Sequence, residues 1–158
     1  MSANFGELVL LIGDYHIPSR STNIPEQFQK MLVPNKMQHI ICTGNIGTKE
    51  EYDKLRNLVG GSSTCVHCVA GEYDITTTSG DNNASAISSS SLPSFPETKV
   101  IRLGQFRIGI IGGHQVVPWG DLNALGMVRR KLNVDILVCG NRRKEGVVEH
   151  EGKSVYDV

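Results

Sequence analysis

The sequence predicts an α/β fold, with two sheets or one mixed sheet and helices on the outside. Three patterns carry that expectation. The first 71 residues alternate apolar, strand-like runs with helical periodicity, as in a mostly parallel sheet with covered faces. Two later stretches read as hairpins about a glycine. The early apolar runs each end in a glycine followed closely by polar side chains, the pattern of strand ends that face a site.

In chain order, 7–13 (ELVLLIG) is the first strand. No basic stretch precedes it, and its apolar run leads straight into Asp14 and His16, so it does not read as a secretory leader. A short helix follows over 25–33, opened by Pro25, with Phe28, Met31 and Leu32 at helical spacing. The second strand is 39–44. Thr48 and Glu51 have the spacing of a capping box, and Tyr52, Leu55, Leu58 and Val59 set a helix over 49–59. The third strand is 64–71. Residues 75–94, rich in Ser, Thr, Asn and Gly, have almost nothing to bury and are expected to be a flexible insertion. Beyond it, 99–113 is a hairpin about Gly104-Gln105, 120–132 a helix with Leu122, Leu125, Val128 and Leu132 as its stripe, 134–140 a buried strand, and 146–158 a hairpin about Glu151-Gly152. All 158 residues are expected to form one domain.

Composition narrows the function. Sixteen basic residues balance sixteen acidic ones, which argues against nucleic acid as a partner. No apolar run is long enough to span a bilayer. Four scattered cysteines do not suggest a secreted disulfide framework. Cys65 and Cys68 look like half of a zinc site, but on a strand residues three apart face opposite ways, and no second pair lies at a suitable spacing. Buried, reduced thiols in a cytosolic protein are the expectation.

Candidate chemistry sits at the strand ends. The first strand ends in Gly13-Asp14-Tyr15-His16, the second in Gly44-Asn45, the third in Gly71-Glu72-Tyr73-Asp74. Asp14 and His16, two apart on extended backbone, can share a cation. Taken alone, each fragment is an ordinary turn. Taken together, in this order, with Gly113-His114 and then Gly140-Asn141-Arg142-Arg143, they resemble the calcineurin-like metallophosphoesterases. The stretches GDYHIP, FQKMLVPNKMQHIICTGNIGTKEEYDKL, GQFRIGIIGGHQVVPWGD and VDILVCG are similar, more closely, to the branch of that family found in the retromer sorting complex.

The resemblance implies a metallophosphoesterase-like β-sandwich of two mixed sheets flanked by helices. It also implies that family chains continue past Val158, so this C-terminus looks truncated. Of the family's metal-ligand positions, Asp14, His16 and Asn45 keep their type and Glu72 stands in for an asparagine. Gly112, Asn141 and Arg143 stand where the family has histidines, and Tyr73 where it has the general-acid histidine. A guanidinium has no lone pair for a metal. Arg143 either pairs with Asp14 or Glu72 or points to solvent. The expected site is therefore non-catalytic, with no cofactor, or at most one weakly bound divalent ion on Asp14, His16, Asn45 and Glu72. The alternative is a residual metal-dependent phosphoesterase. Arg142, Arg143 and Lys144 could also hold a phosphate, against the plainer reading of a solvated basic loop.

The branch further implies a scaffold docked on the large α-solenoid subunit of retromer, with regulators on an apolar patch and the membrane reached only through partners. It places the chain in the cytoplasm, peripheral on endosomes. The expected contact residues are Ile17, Val116, Val117 and Trp119, the last three in an apolar loop without strand or helix period.

Overall fold

The computed structural model describes residues 6–13, 15–75, 92–140, 146–150 and 152–158. Three strands, β1 (Val9–Ile12), β2 (His39–Cys42) and β3 (Val66–Cys68), form a parallel sheet in chain order. Five more, β4 (Thr98–Leu103), β5 (Phe106–Ile111), β6 (Ile136–Cys139), β7 (Gly146–His150) and β8 (Lys153–Asp157), form a mixed sheet in the order β4-β5-β6-β8-β7. Here β4 and β5 are antiparallel, β5, β6 and β8 run parallel, and β7 returns antiparallel to β8.

Side-chain alternation along the strands divides the core into three layers. Ile40 and Cys42 of β2, with Val66 and Cys68 of β3, turn to one side and pack with Tyr52 and Leu55 of helix α2 (Lys49–Leu58). Ile41 and Val69 turn to the other side and meet Ile101, Ile108, Ile110 and Val138 of the five-stranded sheet. Leu137 and Cys139 of β6 face outward with Ile111 and Val155, under Leu125 of helix α4 (Leu122–Leu132). The result is a helix–sheet–sheet–helix sandwich. Gly109 has a packing reason: a Cβ there would come within 3.0 Å of Val134 Cγ2 and 3.3 Å of Leu132 Cδ1, where the end of α4 closes on the sheet.

Helix ends follow their sequence signals. Thr48 Oγ1 accepts the Glu51 N–H at 3.4 Å, and Asp121 caps α4 by accepting the Ala124 N–H at 2.8 Å. α4 stops at Asn133, whose left-handed φ of 52° suits asparagine. Its buried stripe differs from the expected one, because Arg129 is buried beside Leu125 and Gly126.

Helix α1 is shorter than the 25–33 expected. It spans only Glu26–Gln29, and Phe28 and Met31 stay exposed, so no packed face sustains further turns. Conversely Glu72–Ile75, read above as a strand end, forms one helical turn, α3. The expected insertion falls mostly on 76–91, outside the described residues. The cysteines are free, and three are buried, but Cys65 is only half-buried because a 3-10 turn (Ser63–Cys65) precedes β3. Cys68 shares a hydrogen bond with Cys42 and is buried, both of which push its thiol strongly upward and keep it protonated. Among the described residues no helix is long and apolar enough to cross a membrane.

Candidate functional site

The carboxyl ends of the strands meet across the two sheets through glycine. A Cβ on Gly113, whose φ is 90°, would overlap the Gly140 carbonyl oxygen, and one on Gly140 would overlap Thr43 Oγ1. Backbone therefore lies directly on backbone where β5 and β6 end, with the Thr43 side chain after β2 against Gly140, and the loops that follow are drawn to one edge.

Two non-glycine residues at that edge hold left-handed backbone: His16 with φ 40° and Asn45 with φ 61°. Such conformations persist where surrounding bonds over-determine them. The His16 N–H donates to the Asn45 carbonyl at 2.9 Å, and Asn45 Nδ2 lies 3.2 Å from His16 Nε2. Asn45 Oδ1 accepts the Tyr73 N–H at 3.1 Å. The Asp74 carboxylate then accepts two backbone N–H groups through Oδ2, Asn45 at 2.6 Å and Gly71 at 2.9 Å. Asp74 thus ties the loop after β2 to the turn after β3.

Tyr73 stands over this knot. Its ring meets His16 edge-on, with centroids 5.1 Å apart, and the Arg20 guanidinium sits 5.7 Å above its face while donating to its hydroxyl at 3.4 Å. His16, Arg20, Glu72, Tyr73, His114 and Trp119 line a cleft of about 280 Å3. Glu72 is exposed.

Of the expected ligand positions, His16, Asn45 and Glu72 share this cleft with Gly112, while Asp14, Asn141 and Arg143 lie outside the described residues. A side chain at position 112 has no room: its Cβ would lie 2.8 Å from the Ala70 carbonyl oxygen and 2.9 Å from His114 Nδ1. Asn45 Oδ1 accepts the Tyr73 N–H and keeps one further lone pair. Among the described residues no three His, Cys, Asp or Glu side chains converge as a metal site requires. Among the described residues, His16, Asn45 and Glu72 do not by themselves make up a two-metal centre.

Two expected contact residues are corrected. Ile17 is buried in the core on the α2 side of the parallel sheet. Val116 is buried against Ile111 and Leu125, its N–H bonded to the Gly113 carbonyl at 3.1 Å in a turn. Neither presents its side chain to a partner. Val117, 79% exposed, and Trp119, 62% exposed, project from the same loop.

Sequence reasoning missed three features. Asp74 acts as a brace, Arg20 covers Tyr73, and the Tyr15 hydroxyl donates to buried Glu51 at 2.8 Å, tying the loop after β1 to α2. Only Asp74 had a signal, its fixed place after Gly71. The other two pair residues distant in sequence.

A model of the calcineurin-like phosphoesterase superfamily domain matches residues 8–156, and the chain belongs to that superfamily. Within it, the chain is similar to vacuolar protein sorting-associated protein 29. The Schizosaccharomyces pombe protein of that name is 33% identical over 145 residues, 92% of this chain and 67% of the relative. The structure of Vacuolar Protein Sorting 29 from Cryptosporidium parvum aligns with TM-score 0.79 and 36% identity, covering 97% of this chain and 74% of that one. The Entamoeba histolytica protein, solved in complex with zinc, aligns with TM-score 0.73 and 40% identity over 94% of this chain and 72% of that one.

Proposed function

We propose that this chain is a non-catalytic scaffold of the retromer complex in endosome-to-Golgi transport. It docks on the large α-solenoid subunit, vacuolar protein sorting-associated protein 35, and it carries regulators on apolar surface. Similarity to vacuolar protein sorting-associated protein 29 supports the assembly. The observation that carries the loss of catalysis is Gly112, filled over by the His114 ring.

Phosphoester hydrolysis by this fold needs metals to make hydroxide and clamp phosphoryl oxygens, and an acid for the leaving group. Tyr73 stands at the acid's place, its hydroxyl engaged by Arg20. Without that machinery the edge remains as shape: a braced rim of His16, Asn45 and Tyr73 beside exposed Val117 and Trp119. A solenoid's extended concave face suits such a rim. The reading places the protein in the cytoplasm, on endosomal membranes only through its partners, with at most one weakly held divalent ion near His16, Asn45 and Glu72.

Co-elution of the purified chain with the solenoid tests this. Val117→Asp should weaken the complex on the order of a hundredfold or more, since a carboxylate would be buried in apolar contact. Its melting temperature should not change, because Val117 touches solvent. Normal binding by that variant moves the interface elsewhere. Turnover of an aryl phosphate with added manganese or zinc, lost in Asp14→Ala, would instead make the chain a phosphoesterase.

A further inference from the structure

Three titratable side chains stand in a line toward the amino ends of the parallel strands, away from the carboxyl edge and its cleft. Glu7 Oε2 lies 3.5 Å from His39 Nε2, and His39 Nδ1 lies 3.3 Å from His67 Nε2. The two imidazoles are within 22° of coplanar, with centroids 5.4 Å apart. Nitrogens that close with centroids that far apart place the rings edge to edge, each nitrogen aimed at the other. Such a contact holds one hydrogen and has no room for two.

The register places His67 beside Ile41, so both histidines face the second sheet. His67 is buried, and burial first, then Lys99 and His39, lower its pKa to about 4. Among the described residues, the charged groups facing this pair are Glu7 ahead of β1 and Lys99 from β4. Glu7 belongs to a short segment held on β2 by few bonds: Leu8 N–H to Gln38 Oε1 at 2.7 Å, Gln38 N–H to the Leu8 carbonyl at 3.0 Å, and His39 N–H to the same oxygen at 3.4 Å. Gly6 and Glu7 also line an apolar cleft of about 690 Å3 between the sheets, with Val9, Ile108, Val138 and Tyr156.

We propose that Glu7, His39 and His67 form a proton-operated latch. It holds the Gly6–Leu8 segment over the start of β2 and releases it when both imidazoles carry a charge. With one added proton on the pair, the ring that carries it donates across the contact between His39 Nδ1 and His67 Nε2, and the line stays intact. A second proton sets two N–H groups against each other beside Lys99. His67 is walled in, whereas His39 and Glu7 reach solvent, so His39 swings out and takes the segment with it. Moving Gly6 and Glu7 widens the mouth of the apolar cleft.

The sign follows from the buried histidine. Its unfolded counterpart, ordinary at 6.5, binds a proton that the folded His67 refuses until about 4. The latch therefore weakens as pH falls through that window and is whole above it.

The test is an NMR titration of the full chain, labelled with 15N, from pH 7.5 to about 2.5, well past the His67 transition near 4. Near pH 7 a scalar coupling across the hydrogen bond should link His39 Nδ1 and His67 Nε2. On acidification the His67 ring and the Leu8 amide should shift with a common midpoint, while Val155 on β8 stays still. In His39→Gln, His67 should titrate at higher pH and the Leu8 response should disappear. A Leu8 amide that stays put while His67 titrates overturns the latch, as does an unaltered Leu8 transition in His39→Gln. If that variant does not fold, Glu7→Gln changes only an exposed carboxylate, and it should move the Leu8 midpoint by roughly half a unit or more. An unmoved midpoint there also overturns it.

Discussion

The imidazole of His114 stands where a side chain on Gly112 would have to go. A Cβ on Gly112 would lie 2.9 Å from Nδ1 and 3.0 Å from Cε1 of that ring, with the Ala70 carbonyl at 2.8 Å on another side. Nδ1 is buried without a hydrogen bond among the described residues. Position 112 carries no side chain, and the ring two positions on lies in the space one would need.

Gly112→His should therefore destabilise the fold by about 1–3 kcal/mol, as over-packing does. The His114 ring can move, but the Ala70 carbonyl is backbone and cannot. The double change Gly112→His with His114→Ala should recover part of the loss. Urea denaturation midpoints measure both. A single variant as stable as wild type would mean that the ring leaves at no cost.

Asp74 gives a second prediction, because its carboxylate accepts two backbone amides. Asp74→Ala removes a charged acceptor from Asn45 and Gly71, at about 1.5–3 kcal/mol for each bond to a charged group, less whatever water restores. Asp74→Asn, which keeps one acceptor oxygen, should lose clearly less. Native-state hydrogen exchange should show the Asn45 and Gly71 amides losing protection in Asp74→Ala before the rest of the sheet does.

Thiol chemistry should single out Cys65. It is the half-buried cysteine, whereas Cys42, Cys68 and Cys139 are buried and Cys68 is held protonated by Cys42 and by burial. Alkylation of the native protein near pH 8 should add one group at Cys65 by mass spectrometry, and four after unfolding. Rapid native labelling of Cys68 would show that β3 opens readily.

These cases show how far the sequence could be read. Strands and the long helices were legible because burial on both sides of a sheet leaves continuous apolar runs and a helix face leaves a 3.6 period. The five glycine-ended loops were legible too, since positions such as Gly113 and Gly140 leave no space for side chains. What each polar residue does within a loop was not. Spacing cannot say whether a carboxylate such as Asp74 faces a cleft or folds back on backbone amides. Val116 and Val117 are adjacent valines in a loop without period, and only the turn at Gly113 decides that the first goes in and the second out. The 25–33 helix failed for a related reason. Phe28 and Met31 have the right spacing but no surface to cover.

The Tyr15–Glu51 hydrogen bond carries the last prediction. Thr48 and Glu51 have capping-box spacing, yet the Thr48 N–H bonds the Ile46 carbonyl at 2.9 Å, and the Glu51 carboxylate accepts from Tyr15 and Lys54. Glu51 and Tyr15 are both buried. Tyr15→Phe should cost about 1–3 kcal/mol near neutral pH, because a buried carboxylate loses a donor. The pair also predicts an alkaline limit. Burial first, then Glu51, push the Tyr15 hydroxyl far above its ordinary 10.0, and burial raises Tyr52 as well. In the unfolded chain both phenols ionise near 10, whereas the folded chain holds Tyr15 protonated well beyond that and resists ionising Tyr52. Their contribution is present below that pH and is lost as pH rises through it, at about 1.4 kcal/mol per unit for each phenol that only the unfolded state ionises. Tyr15→Phe should remove one share of that slope and leave the Tyr52 share. Chemical denaturation at pH 8, 9.5 and 10.5 would measure it. An identical alkaline slope in wild type and Tyr15→Phe would show that Tyr15 ionises freely in the folded protein, and the bond to Glu51 would then not hold the loop after β1 to α2.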